Sequence, residues 1–258
     1  MIAVSKFWER ELSEKYSLNP RVINNGVSMK NFTINHDTKT KENAKKSFNV
    51  DGAKMILSIG GIEPRKNTIT TLRAFSITRS ELKAKGEELV WLIGGGETLF
   101  DYRDYREEFF SEVQRLGLEL DKDLFVLGNV PESKMQSLYN AADVFVFPSI
   151  KEGWGLVAQE AMAAGVPVIA SGIEPMTEYL VDEENSLLIS PKDYGALSQK
   201  IIMVFDNSEL RSKLIENAHR TANMYSWENA ARKHIEYYNE ILKERSISAE
   251  DKRAQAHD

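Results

Sequence analysis

Two glutamates, Glu152 and Glu160, frame the stretch of this sequence that carries the most chemistry. Seven residues separate them, among them Gly153 and Gly155. An apolar run at 144–147 precedes the pair, and a helical pattern over 155–164 holds the second member. Glu152 therefore falls in a strand-to-helix loop and Glu160 in the second turn of the helix. This is not the spacing of a surface i, i+4 pair. Glycines leave the start of the helix uncrowded, and free N–H groups at the positive end of its dipole favour phosphate. A carboxylate one turn in can accept both hydroxyls of a ribose, and one in the preceding loop can accept hydroxyls of a sugar. The bland alternative is a solvated helix residue and a loop charge. Two glutamates around Gly-x-Gly at such a junction weigh against it.

A second group follows another apolar run. Gly60 and Gly61 close the run at 55–59, and Arg65 and Lys66 stand just beyond them, before the next helical pattern. Adjacent cations past a strand end suit a diphosphate, the guanidinium binding in two-pronged fashion and the ammonium as a point charge. A basic solvated loop is the alternative, and this pair alone does not choose between them.

The elements that must position these groups are legible as periodicity. Continuous apolar runs at 55–59, 89–93, 124–127, 144–147, 166–170 and 186–189 read as strands buried on both faces, as in parallel sheets. Amphipathic patterns at 68–80, 133–142, 155–164, 194–205 and 209–223 read as helices. Asn67 or Thr68 is the expected cap of the first and Ser133 of the second. The alternation predicts an α/β fold with a Rossmann-like, doubly wound parallel sheet of about six strands. Ligands of such sheets bind beyond the carboxyl ends of the strands. Gly60, Gly61, Gly94 to Gly96, Gly128 and Pro148 all fall there, either for close backbone approach or simply to end strands. The ends of the chain differ: a short amphipathic helix over 4–16 with Phe7 and Trp8, a short strand at 22–27, a polar lysine-rich linker at 33–53 with a turn or two of helix, and a last helix starting at a Ser226 cap.

Bulk properties bound the rest. A chain of 258 residues makes one large domain or two small ones. The hydrophobic share of 42% and charged share of 28% are those of a globular protein with a full core. No cysteine is present, so disulfides, thiolate nucleophiles and zinc-thiolate sites are excluded. The net charge of −6 argues against a basic nucleic-acid-binding surface. No apolar run approaches the roughly 20 residues of a membrane span. A cytoplasmic location is expected, with membrane contact only peripheral and through a partner.

Residues 148–168 resemble the Glu-x7-Glu signature of the family-4 (group 1) retaining glycosyltransferases, which have the GT-B fold. The resemblance spans nearly the whole chain. Asn25, Gly26 and Val27 look like the element after the interdomain hinge, and residues 60–67 are similar to the donor diphosphate loop. Gly94 to Gly96 and the stretch Gly128, Asn129, Val130 match later strand-end loops. Ser171, and Glu178 in 175–179, resemble the segment that follows. The start of the C-terminal crossover helix looks like 225–227. The resemblance implies an α/β donor-binding half that transfers a hexosyl group from a nucleotide-diphosphate sugar to an acceptor hydroxyl with retention. Arg65 and Lys66 would hold the diphosphate, and Glu152 the transferred sugar. Gly60, Gly61, Gly95 and Gly153 would shape the loops, the backbone at Gly155, Leu156 and Val157 would bind phosphate, Glu160 the ribose, and Asn129 and Val130 would border the base. No metal or other cofactor is implied: His36, His219, His234 and His257 are scattered, and Asp101 and Asp104 read as loop charges.

Two positions depart from the family pattern, Gly61 where many members carry Arg and Ser28 where Asp is usual. The larger departure is length. The expected division is a hinge-proximal remnant of an N-terminal domain at 1–27, the nucleotide-sugar domain at 28–225, the crossover helix at 226–245 and a disordered polar tail at 246–258. An acceptor-binding N-terminal domain or separate chain is the expected partner, leaving Phe7, Trp8, Trp227 and Tyr238 partly exposed. Other readings are a non-catalytic nucleotide-sugar-binding subunit, a sugar-nucleotide epimerase and an oxidoreductase. The last is disfavoured because no strand is followed by Gly-x-Gly-x-x-Gly.

Overall fold

The computed structural model describes residues 1–32, 34, 37–96 and 102–254. Six strands form one parallel sheet: β3 (Lys54–Ile59), β4 (Leu89–Gly94), β5 (Leu124–Gly128), β6 (Val144–Phe147), β7 (Val168–Ser171) and β8 (Leu187–Ile189). Their order is β5-β4-β3-β6-β7-β8. This is the doubly wound Rossmann order, and the chain reverses direction across the sheet between β3 and β6.

Alternating side chains explain why the strands read as unbroken apolar runs. Met55 and Leu57 of β3, with Phe145 and Phe147 of β6, enter one core. Ile56, Val144 and Val146 enter the other, on the opposite face of the sheet. The exception is β5, which lies at the sheet edge, and Val126 there is 36% exposed. The expectation of burial on both faces fails for that strand.

Helices cover both faces: α3 (Thr68–Ala84), α4 (Arg103–Arg115) and α7 (Tyr194–Asp206) supply the second core, and α2 (Thr38–Ser47), α5 (Glu132–Ala141), α6 (Leu156–Ala163) and α8 (Ser208–Met224) the first. Two helices are not announced by apolar periodicity. Helix α4 buries only Phe109, Glu112 and Val113, so Asp104 is a first-turn helix residue and not a loop charge; Asp101 lies outside the described residues, as do His36 and His257. Helix α2 replaces most of the expected solvated linker. It buries Ala44 and is fastened by Lys41 and Lys45, whose ammonium groups each lie 2.6 Å from Asp143 at the foot of β6. That carboxylate also accepts the Met55 amide at 2.8 Å, so one side chain joins α2, β3 and β6.

Two caps differ from expectation. Pro131, not Ser133, precedes α5. Asn67 precedes α3 in a left-handed conformation but does not cap it with its side chain, which donates instead to the carbonyls of Pro148 (3.1 Å) and Pro191. Ser226 does accept an amide of the last helix, from Asn229 at 3.3 Å.

The first residues form a small β-α-β unit in which β1 (Ile2–Ala3) pairs in parallel with β2 (Arg21–Val22) across α1 (Lys6–Tyr16). The chain then meets the start of α9 (Trp227–Ala254), where the Val27 amide donates to Tyr225 and the Trp227 amide to Val27. A Cβ on Gly26 would stand 2.4 Å from the Trp227 nitrogen, so this crossing tolerates only glycine. Helix α9 continues to Ala254, through most of the expected polar tail. Trp227, Ile235, Tyr238 and Leu242 form an exposed apolar stripe along it, and Phe7 and Trp8 are half-buried. No helix among the described residues is long and apolar enough to cross a membrane.

Candidate functional site

The loops after β3 and β6 stand side by side because their strands do. They are stitched together by the Ile150 amide donating to the Arg65 carbonyl at 2.9 Å and by Asn67 donating to Pro148. Arg65, Lys66 and Glu152, far apart in sequence, meet there. One carboxylate oxygen of Glu152 accepts from Arg65 Nη1 at 2.9 Å and from Lys66 Nζ at 2.8 Å. Arg65 Nη2 donates to Glu63 at 2.8 Å. Glu63 and Glu152 are both buried. Two cations and two carboxylates therefore form one compensated cluster at the switch point of the sheet.

Lys66 lies 4.4 Å over the Phe147 ring. Burial pulls its pKa below the ordinary lysine value against the opposing pull of Glu152. Gly60 makes room for it: at φ +130° the residue adopts a backbone that side chains disfavour, and a Cβ would come within 2.5 Å of the lysine stem.

Gly61 and Gly95 serve a close backbone approach, made to each other's loops. A Cβ on Gly95 would lie 2.4 Å from the Gly61 nitrogen, and one on Gly61 would lie 2.9 Å from the Gly96 carbonyl. The β3 and β4 loops pack backbone against backbone, which accounts for these glycines without a ligand. Asn129 likewise stands against Gly96.

Helix α6 begins at Gly155, in a left-handed conformation at φ 85°, and no side chain caps it. Its first residues are Leu156 and Val157, so their amides start the helix without a capping acceptor. A Cβ on Gly155 would meet the Tyr179 hydroxyl at 2.8 Å, and that hydroxyl donates to the Trp154 or Gly155 carbonyl at 3.1 Å. Gly153 has open space about it.

Glu160 sits on the other side of the helix start. Its carboxylate accepts from the buried Tyr139 hydroxyl at 2.9 Å. With Val130, Leu156, Phe32, Met135 and Trp227 it lines a cavity of about 330 Å³. Burial raises the Glu160 pKa, partly offset by Tyr139, with Glu132 adding to the rise. A carboxyl held above its unfolded value stabilises the fold below that value and loses this contribution as pH rises through the folded one. Glu160→Gln should therefore melt higher than the parent at pH 7, with the gap closing by about pH 4. An unchanged melting temperature at pH 7 would show that Glu160 carries no burial cost.

Several contributors do not stand out in the sequence as residues of the site. Trp8 of α1 donates its indole N–H to the Gly153 carbonyl at 2.9 Å. Glu178 accepts the first amides of α1, from Lys6 at 3.0 Å and Phe7 at 2.9 Å. Arg10 pairs with Glu174 at 2.7 Å. The N-terminal unit thus braces the loop that carries Glu152. Nothing in local spacing signals these contacts. Glu63 did have a signal, since it belongs to the same short motif as Arg65 and Lys66.

Comparison with known proteins places this geometry in a family. The model of glycosyl transferases group 1 matches residues 39–221, from α2 to α8. An uncharacterized glycosyltransferase of Methanocaldococcus jannaschii is 32% identical over 243 residues, covering 92% of this chain and 59% of its own length. A glycosyltransferase structure from Rickettsia africae superposes with a TM-score of 0.80 at 26% identity, over 94% of this chain and 63% of that one. The C-terminal domain of a group 1 family glycosyl transferase from Francisella tularensis is 30% identical, with a TM-score of 0.66, over 78% of this chain and all of that domain. The chain thus spans less than two thirds of the length of the Methanocaldococcus relative, and its own sheet has the Rossmann order. Its sheet, its paired loops and its matched length agree, and the chain belongs to the group 1 glycosyl transferases.

Proposed function

We propose that this chain is the donor-binding half of a retaining, family-4 hexosyltransferase. It holds a nucleotide-diphosphate sugar whose glycosyl group passes to an acceptor hydroxyl. The observation that carries the reading is the meeting of Arg65, Lys66 and Glu152 at the switch point, beside the uncapped start of α6.

In this reading the diphosphate takes the cations from Glu152. The freed carboxylate then accepts hydroxyls of the sugar. The amides of Leu156 and Val157 add the positive end of the helix dipole. Glu160 accepts ribose hydroxyls at the cavity that Val130 borders, where the base lies. Catalysis is electrostatic: negative charge grows on the leaving diphosphate, and preorganised cations stabilise it. No metal or other cofactor is invoked, because Arg65 and Lys66 supply the positive charge.

The acceptor side is contributed by a further domain or a separate chain. The exposed stripe of Trp227, Ile235, Tyr238 and Leu242 is its seat. Closure against it excludes water and aligns the acceptor hydroxyl. The location is cytoplasmic. In a second reading the chain binds the nucleotide-sugar and transfers nothing by itself.

The test is calorimetric titration of the chain with UDP, GDP and ADP, with and without magnesium. Saturable binding of one of them, equal in both buffers and lost in Glu160→Ala, is the expected result. Binding that requires magnesium would overturn the metal-free donor site, and binding of none would remove the donor assignment.

A further inference from the structure

We propose that Glu63 is a positioning residue of the donor site, a buried carboxylate that aims the Arg65 guanidinium at the donor diphosphate. The proposal rests on the donor-half reading above. Glu63 is 3% exposed. Burying a carboxylate is costly unless a partner compensates it. Here that partner is Arg65 Nη2, at 2.8 Å.

The local backbone sharpens the case. Glu63 stands at the head of the single helical turn Pro64–Lys66, where a side chain would ordinarily cap the free amides. It makes no such cap bond. Its carbonyl serves the turn by accepting the Lys66 amide at 3.1 Å, and its side chain reaches forward to Arg65. Pro64 stiffens the connection between the two residues. Arg65 itself has 42% of its side chain exposed, so little packing restrains it.

The two carboxylates hold opposite ends of one guanidinium. Glu152 takes Nη1 and Glu63 takes Nη2. Glu152 also holds Lys66, and must release both cations when a diphosphate arrives. Glu63 faces the far nitrogen and need not let go. It keeps the guanidinium in place while its other end changes partner, so the long side chain is ordered before binding.

The test uses whichever of UDP, GDP and ADP the parent chain binds, together with the matching nucleoside. Glu63→Ala should lower affinity for the diphosphate about tenfold, as loss of a supporting partner commonly does, and leave the nucleoside unchanged. Glu63→Gln keeps an acceptor oxygen at the same reach and should restore binding. Glu63→Asp keeps the charge but falls one methylene short and should not. In an Arg65→Ala background, Glu63→Ala should have no further effect, because a positioning residue acts only through what it positions. A loss that persists in that background, or rescue by Asp and not by Gln, overturns the proposal in favour of a structural or charge role. Full diphosphate affinity in Glu63→Ala, with affinity lost in Arg65→Ala, overturns it as well. If Arg65→Ala alone leaves diphosphate binding intact, the donor-site reading itself has failed, and the two failures are told apart by that single variant.

Discussion

Lys66→Ala is expected to lower kcat about 10²- to 10³-fold, the usual cost of removing one preorganised donor to developing negative charge. The measurement is glycosyl transfer by the chain together with the acceptor-binding domain or chain proposed above. A matched titration should show weakened nucleoside diphosphate binding and unchanged nucleoside binding, because the proposed function sets Lys66 against the phosphates and not the ribose. Equal losses for both ligands would refute the phosphate assignment. Burial also sets a pH signature. Desolvation lowers the Lys66 pKa, so the ammonium releases its proton at a lower pH than an exposed lysine would. Diphosphate affinity should fall as pH rises through that lowered value. Lys66→Arg, which stays charged throughout, should flatten this alkaline limb while binding more weakly at neutral pH, because a planar fork replaces a compact ammonium.

Asp143→Ala is expected to cost about 3 kcal/mol of folding stability, the low end of what breaking a buried ion pair costs. The low end applies because a fifth of the Asp143 side chain remains exposed. Removal takes the counter-charge from Lys41 and Lys45, leaving them the Ala142 and Ala53 carbonyls, and takes the acceptor from the Met55 amide. Urea unfolding measures the loss, and Asp143→Asn should keep part of it by accepting the amide. Burial disfavours the charged form of Asp143, but the two lysines outweigh it and hold the carboxyl below its ordinary value. The contribution is then present above the unfolded pKa and is lost as pH falls through the folded one. The parent and Asp143→Ala should converge in stability in acid. A loss below about 0.5 kcal/mol, the level of an ordinary surface substitution, would mean that α2 is held by something other than this carboxylate.

That prediction also marks where the sequence stops being readable. The six strands are legible because most are covered on both faces, which writes them as unbroken apolar runs. Residues 38–47 carry no such record. One small apolar residue, Ala44, enters the core, and the remaining attachment is ionic, to a partner in β6. A lysine that will find a carboxylate 98 positions later looks like any solvated lysine. Helix α4 is hidden for the same reason, since its buried Glu112 is paid for by Arg73 and Arg115 and leaves little apolar periodicity.

The site divides along the same line. Arg65, Lys66, Glu152 and Glu160 stand out by type and by their position at strand ends, which follow from local pattern. Their partners depend on the order of strands. Only a sheet with β3 beside β6 brings Lys66 to Glu152, and only the placement of α5 and α6 on one face of that sheet brings Tyr139 to Glu160. The glycines were half legible. Gly60 clears space for a functional lysine, whereas Gly61 and Gly95 clear space for each other.

Under the proposed function, the compensated cluster at the switch point would behave as an ion exchanger. Without a ligand its two positive and two negative groups cancel, so its field reaches little beyond the pocket and gives a stray chloride or inorganic phosphate scant reason to stay. A diphosphate would enter by displacing Glu152, and a sugar attached to that diphosphate would give the displaced carboxylate something to bind. A free nucleotide offers no such compensation. After transfer the carboxylate would be left without its sugar, and its return to Arg65 and Lys66 would push the spent nucleotide out. Affinity would thereby be exchanged for turnover: the same oxygen that weakens product binding would reset the pocket for the next donor.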